Sequence, residues 1–260
     1  MKKFIASLAI ATAAAGLSAQ ETGSSISDLS ITGTFDFETQ YVFRGVALAQ
    51  QSFQPSVEFG FPVLGGDLYT GVWTNQPITN GTANEIDFYG GFAYPVTDMF
   101  TVDVGFTYYW YPEGVGATPG ISQTREIYVG VSADVILSPA LYFYYDFDLE
   151  QTVLEGSIGY SFDLGEYIGT EGVSFDLGGY LGWLNADAAN GSQRGGVAKA
   201  GNGYTYLGVT ADLVYAFSEN VSSSLGVRYS YNNDGTLAQG AITTGKENNL
   251  WFGATLGFAY

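Results

Sequence analysis

The sequence predicts an all-β protein: a transmembrane, antiparallel up-and-down β-barrel of about twelve strands behind an N-terminal signal peptide. Three observations predict it. Segments of about ten residues alternate apolar with polar or small side chains along most of the chain. The connections between them are short and long by turns. Aromatic residues crowd both ends of the apolar faces. The composition agrees, with 46% hydrophobic and 16% aromatic side chains, 13% charged and 36 glycines in 260 residues.

The first element is an address. Lys2 and Lys3 precede an apolar, small-residue run from Phe4 to Leu17, too short to span a bilayer, and Leu17-Ser18-Ala19 offers a small residue for cleavage. Residues 1–19 are therefore expected to be removed, 20–28 to form a short periplasmic segment, and 29–260 to form the barrel, placing the protein in the cell outer membrane.

The strands follow in order. Ile31, Gly33, Phe35, Phe37, Thr39, Tyr41 and Phe43 share one parity, against Thr32, Thr34, Asp36, Glu38, Gln40 and Arg44. Phe53, Val57, Phe59 and Phe61 oppose Gln54, Ser56 and Glu58. The faces of the next segment, Leu68 to Asn75, are not assignable. Alternation resumes over 86–94, 100–110, 126–135, 141–150, 154–164, 173–183, 206–217, 221–231 and 250–260. Short turns fall at Pro62–Asp67, Pro95–Met99, Ile136–Ala140 and Ser218–Asn220, with Gly165–Gly172 somewhat longer. Long, Gly/Asn-rich connections fall at Gly45–Gln51, Gln76–Asn84, Pro112–Thr124, Asn185–Gly203 and Asn232–Asn248; the link near Gln151 breaks the rule. That alternation belongs to an outer-membrane barrel with its termini on the short-turn, periplasmic side.

A secreted sandwich also alternates. Here, however, no polar strand face carries Lys, as a water-facing sheet usually does. Tyr41, Phe43, Tyr108, Trp110, Trp183, Tyr229 and Tyr231 form one expected aromatic girdle, and Phe61, Tyr94, Phe100, Phe162, Phe217 and Tyr260 the other. In hydrocarbon an unpaired backbone group costs several kcal/mol, so such a sheet must close on itself. The terminal strand, aromatic at Tyr260 and apolar at alternate positions before it, fits the signal read by the barrel-assembly machinery.

Gln40-Tyr41-Val42-Phe43-Arg44-Gly45 closes the first strand and leads to Gln50, Gln51 and Pro55. It resembles the Y-V-F-R-G signature of the TorF-family porins of Gram-negative outer membranes; Leu68–Trp73 and the final strand look similar too. This chain continues Val-Ala-Leu-Ala-Gln-Gln, without the Asp/Asn-Gly usual in that family's loop. The resemblance implies a porin-like barrel and no particular substrate.

Twenty-six acids against eight bases, with no basic stripe, exclude nucleic acid as a partner. Zero Cys and zero His remove thiolate and His-based catalysis and their metal sites; no cofactor motif appears, and an enzyme is not expected. Parity places Asp36, Glu38, Glu58, Asp87, Asp103, Asp134, Asp146, Asp148, Glu155, Asp163, Asp176 and Asp212 in the lumen, with Arg44 and Arg228 as the inward bases. Gly60, Gly91, Gly105, Gly130, Ser132, Ser157, Gly159, Gly178, Gly208 and Gly226 are expected to keep the interior from filling, or to relieve its curvature. The lumen would thus pass ions or small solutes and prefer cations. Asp212 is expected to pair with Arg228 across the Ser218–Asn220 turn, and Arg44 to clamp its loop onto Glu38 or another wall acid. Two alternatives stand beside the channel. One is a closed barrel acting through loops such as Asn185-Ala186-Asp187 and Asn232-Asn233-Asp234-Gly235; the other is a carboxylate hydrolase using Asp146 and Asp148.

Overall fold

The computed structural model describes residues 29–79, 84–113, 122–186, 203–233 and 248–260. The expected signal peptide and the 20–28 segment lie outside them, as do the middle of the Asn185–Gly203 loop and Asp234-Gly235. Fourteen strands occur among the described residues: β1 (Ser30–Glu38), β2 (Tyr41–Phe43), β3 (Val46–Ala49), β4 (Ser52–Val63), β5 (Gly66–Pro77), β6 (Glu85–Pro95), β7 (Phe100–Trp110), β8 (Gln123–Ala133), β9 (Ala140–Asp146), β10 (Gln151–Asp163), β11 (Val173–Ala186), β12 (Gly203–Ala216), β13 (Val221–Asn232) and β14 (Asn248–Ala259). The one helix among the described residues is a single turn, α1 (Gly165–Ile168), within the β10–β11 connection.

Twelve of these strands form a closed antiparallel barrel, each paired with its chain neighbour, and β1 joins β14 to complete the ring. Closure satisfies every edge. The outward parity is apolar and bare: Leu225 is 69% and Leu250 65% exposed. A continuous coat of such side chains needs a hydrocarbon solvent. Wall strands of 11–14 residues suffice to cross one, β1 and β9 being shorter. Tyr108, Trp110, Trp183 and Tyr229 stand outward near the long-loop end, and Phe61, Tyr94, Phe100, Phe162 and Phe217 near the other.

The first strand departs from its expected course. Alternation continues to Phe43, but the wall ladder stops at Thr39, whose amide still donates to the Phe252 carbonyl. Residues 39–51 then leave the wall, and β4 resumes it opposite Glu38 at Ser52. Between them β2 and β3 form a separate hairpin folded into the lumen. Tyr41 is consequently buried against Trp73, and Phe43 faces the Tyr109 ring; neither belongs to a lipid-facing girdle. The expected external loop Gly45–Gln51 is the second half of this hairpin.

The unassigned β5 turns Leu68, Thr70 and Val72 outward and Tyr69, Gly71, Trp73 and Asn75 inward. Strand β9 ends at Asp146, earlier than expected, and a tight turn with Glu150 at positive φ leads into β10. Asp134 lies exposed in the β8–β9 turn rather than in the lumen, and Asp163 sits exposed at the short-turn rim, accepting the Gly165 amide.

Candidate functional site in the lumen

The interior is organised by cross-strand pairs of glycine and tyrosine. Tyr69 lies directly opposite Gly91, Tyr128 opposite Gly105, Tyr142 opposite Gly130, and Tyr180 opposite Gly208. Each ring lies over its glycine, so a Cβ on Gly105 would sit 2.2 Å from the Tyr128 hydroxyl oxygen. Of the two readings of these glycines, open space and relief of curvature, the first fails here: they are seats for tyrosine rings, and the space is taken. Gly226 is covered in the same way by Asp212 and Arg228. Tyr69, Tyr128, Tyr142, Tyr144, Tyr204 and Tyr206 form one buried cluster with Val46 of the hairpin.

The tyrosine hydroxyls turn back onto the wall acids. Asp103 accepts bonds from Tyr69 (2.8 Å) and Tyr142 (3.1 Å), while Tyr69 also meets the Tyr128 hydroxyl at 2.5 Å. Glu155 accepts from Tyr206 at 2.6 Å. Asp36 is bonded by Thr34 and Thr255, each at 2.5 Å, and Asp176 by Ser161 at 2.6 Å. Asp87 is buried, with Glu85 and Glu126 as acidic neighbours, and Glu58 is half-buried on the inner face of β4.

Two arginines divide the remaining roles. Arg228 forms ion pairs with two acids, its Nη1 2.8 Å from Asp212 Oδ1 and its Nε 3.3 Å from Glu38 Oε1, so the expected Asp212–Arg228 pair forms and recruits Glu38 as well. Arg44 does clamp the loop, but not onto Glu38, which Arg228 holds. It crosses the lumen from the hairpin tip and grips Glu126 of β8 with both ends of its fork, Nη1 to Oε2 and Nη2 to Oε1 at 2.9 Å each. Both side chains are buried, 4% and 1% exposed. The guanidinium carbon stands 4.7 Å from the Phe43 ring centre and 4.9 Å from that of Tyr144.

The tip is shaped for this reach. Phe43 pairs with Val46 across a two-residue loop, and both loop residues have positive φ, Arg44 at 48° and Gly45 at 77°. This is the type I′ geometry that suits the twist of a hairpin. Gly45 is required there twice, since a Cβ would also meet the Cβ of Tyr206 at 2.6 Å. The tip carbonyls are held from the wall: Tyr204 donates to the Arg44 carbonyl (2.9 Å), and Asn232 and Asn249 donate to that of Gly45 (2.8 and 3.3 Å).

Asp146 and Asp148 do not share one face. Asp146 is buried and caps its turn by accepting the amides of Asp148 and Leu149. Asp148 points away and makes a two-pronged pair with Arg125 at the outer edge of β8. They therefore cannot act on one bond as a hydrolytic couple. Glu126 and Glu85 were missing from the expected lumen acids. Glu126 stood on the lumen parity of its strand, and that parity was the available signal.

The lower reaches of the lumen differ. On the short-turn side of β10–β14 and β1, the inward residues are small and polar, including Ser157, Ser174, Ser222, Ser224, Thr255 and Thr34, and they remain half-exposed. Among the described residues no group of three or more Asp, Glu, His or Cys is arranged to hold a metal ion.

Known proteins supply a context for this geometry. The model of the Gcw_chp family, described as a bacterial protein of unknown function, matches residues 21–164, more than half of the chain. No curated protein matches the sequence. Among solved structures, an outer membrane channel from Pseudomonas putida F1 superposes with TM-score 0.52 at 8% identity, over 93% of this chain and 97% of that one. The KdgM porin superposes with TM-score 0.49 at 14% identity, over 88% and 98%. At such identities the likeness is one of fold, and the fold is that of outer-membrane barrels.

Proposed function

We propose that this chain, which belongs to the Gcw_chp family of bacterial proteins, is an outer-membrane, porin-like channel for small solutes and ions that prefers cations. The observation that carries the reading is the charge of the interior. Asp36, Glu38, Glu58, Asp87, Asp103, Glu126, Asp146, Glu155, Asp176 and Asp212 face inward, and the bases that answer them among the described residues are Arg44 and Arg228. The acids partnered by hydroxyls are answered by no arginine of their own, and a lumen lined with an excess of acids over bases raises the local cation concentration and repels anions. Catalysis has no comparable support: Asp146 and Asp148, the couple the sequence offered, stand in separate settings, and His and Cys are absent from the chain.

The same reading covers the remaining expectations. The likeness of Gln40–Gly45 to the TorF-family porins points the same way. Periplasmic termini, the lipid coat and delivery by the barrel-assembly machinery through β14 accompany the proposal. A second reading, a barrel that does not conduct, is favoured by one specific feature, the packing of the hairpin and tyrosines across the lumen.

Planar bilayers under a salt gradient test the proposal. The wild type should show unitary steps with a cation-sign reversal potential, and Glu58→Gln combined with Asp103→Asn and Asp176→Asn should move that potential toward zero. Absence of unitary steps selects the non-conducting barrel. An unmoved reversal potential removes the role of the acids in selectivity.

A further inference from the structure

Arg44 is bound by the opposite wall as a ligand is bound. Glu126 offers both carboxylate oxygens to the two terminal nitrogens in parallel, a geometry that a planar guanidinium satisfies and a compact ammonium does not. The Tyr109 hydroxyl donates to Oε1 of Glu126 at 2.9 Å and fixes the plane of the carboxylate. The Tyr144 face covers the cation, and Glu155, oriented by Tyr206, brings a second negative charge within electrostatic reach of it. Every one of these groups belongs to the barrel wall, on β7, β8, β9, β10 and β12. Only Phe43 comes from the hairpin itself.

The way the tip is anchored separates the side chain from the loop. Tyr204, Asn232 and Asn249 bind main-chain carbonyls, so they would hold any residue at position 44. Arg is also a poor choice for that turn, since a positive φ favours Gly, Asn or Asp. Its guanidinium is therefore placed for the wall, not for the turn. The pocket grips the terminal fork and leaves Nε without a hydrogen-bond partner, so it recognises the end of an alkylguanidinium rather than its stem.

We propose that the wall around Glu126 is a guanidinium-binding site in the packed part of the lumen, filled at rest by the chain's own Arg44. A solute bearing a guanidinium group takes it when the hairpin tip withdraws. The proposal rests on the channel reading and supplies it with a solute class, and the self-occupied state is the closed one.

The test uses the full-length barrel with Arg44→Ala, probed with methylguanidinium and, as the control cation of equal charge, methylammonium. In detergent, methylguanidinium should raise the unfolding temperature of Arg44→Ala while methylammonium leaves it unchanged. In bilayers, Arg44→Ala should conduct more than wild type and be blocked by methylguanidinium at about tenfold lower concentration than by methylammonium. Adding Glu126→Gln to Arg44→Ala should abolish both responses. Equal responses to the two cations, or responses that survive Glu126→Gln, overturn the site. Should Arg44→Ala fail to fold, the wild type decides: methylguanidinium should accelerate amide exchange at Val46–Ala49 relative to methylammonium by competing with Arg44 for Glu126, and no difference overturns the proposal. Selective stabilisation in detergent without any bilayer conductance would keep the site and reject the channel instead.

Discussion

Above the middle of the barrel, and down the β5–β9 wall, the lumen is packed by tyrosine rings laid on opposing glycines and by the β2–β3 hairpin. Toward the short-turn end of β10–β14 and β1 it is lined by serines and threonines that remain half-exposed. Both regions obey the same alternation, and both are polar in sequence. What separates them is volume and pairing. A glycine facing a tyrosine lets the ring lie flat and close the interior. A glycine such as Gly159, whose nearest neighbour for an added Cβ is the Leu177 carbonyl oxygen at 3.7 Å, leaves room. Polarity fixes which side of the wall a residue takes, and the partner opposite fixes whether the lumen is filled there.

The sharpest way to break this comparison is to unlatch the packed region alone. Glu126→Gln leaves the Arg44 guanidinium buried without its counter-charge, a change worth about 3–5 kcal/mol when one partner of a buried pair is removed. The loss should fall on the docking of the hairpin and not on the barrel, whose ladders do not use either side chain. Amide exchange at Val46–Ala49 should accelerate by orders of magnitude, while the amides of Ser222–Ser224 on the lined side keep their rates. Exchange that changes equally in both regions, or in neither, would mean that the plug is not a separately held unit.

A smaller effect is expected from adding one methyl group to each region. Gly105→Ala drives a Cβ to 2.2 Å from the Tyr128 hydroxyl oxygen and 2.7 Å from the Gly90 carbonyl, so ring and strand must both shift. Overpacking of that kind costs about 1–3 kcal/mol. Gly159→Ala meets only ordinary contact distances and should stay within about 0.5 kcal/mol of wild type. Denaturant titration of the two variants in the same detergent compares them directly, and equal midpoints would remove the distinction between seat and space.

Most of the wall was legible in the sequence because a period of two has only two outcomes once one face meets lipid. Strand pairs, outward faces, the Asp212–Arg228 couple and the inward orientation of the acids other than Asp134, Asp148 and Asp163 follow from parity and turn position. The hairpin did not, for a reason visible at Ile31–Phe43: the alternation runs unbroken from wall to plug, and parity alone cannot tell a strand that continues from one that turns inward. The signal was local, the Arg44-Gly45 pair between two short apolar runs, which is a two-residue turn with an unusual first residue. The partner of Arg44 was beyond reach of such reading. Glu126 is 82 positions away and on a strand that is not a ladder neighbour of β1, so only closure of the ring brings them together. The filling of the lumen is not legible in glycine alone; only the residue opposite shows it, as Gly105 and Tyr128 form a seat and a ring. Asp148 was misassigned because β9 ends sooner than its alternation does.

That misassigned residue gives the last and smallest contrast. Arg125–Asp148 repeats the chemistry of Arg44–Glu126, with Nε to Oδ2 at 3.0 Å and Nη2 to Oδ1 at 2.7 Å, but its side chains are 51% and 26% exposed against 4% and 1%. Hydrogen bonds from Arg125, opposed by slight burial, hold the Asp148 carboxyl below its ordinary value of 3.8. A carboxyl so depressed stabilises the fold fully above that ordinary value and loses its contribution as the pH falls through the depressed one. Asp148→Asn and wild type should therefore unfold at nearly the same temperature from neutral pH down to about pH 5, the difference between them shrinking further only in stronger acid. Water already solvates both ions when this pair opens, whereas opening Arg44–Glu126 exposes charges that the barrel wall alone was serving. If Asp148→Asn destabilised the barrel as strongly as Glu126→Gln frees the hairpin, geometry rather than solvent exclusion would set the strength of both pairs, and the plug would owe nothing to its burial.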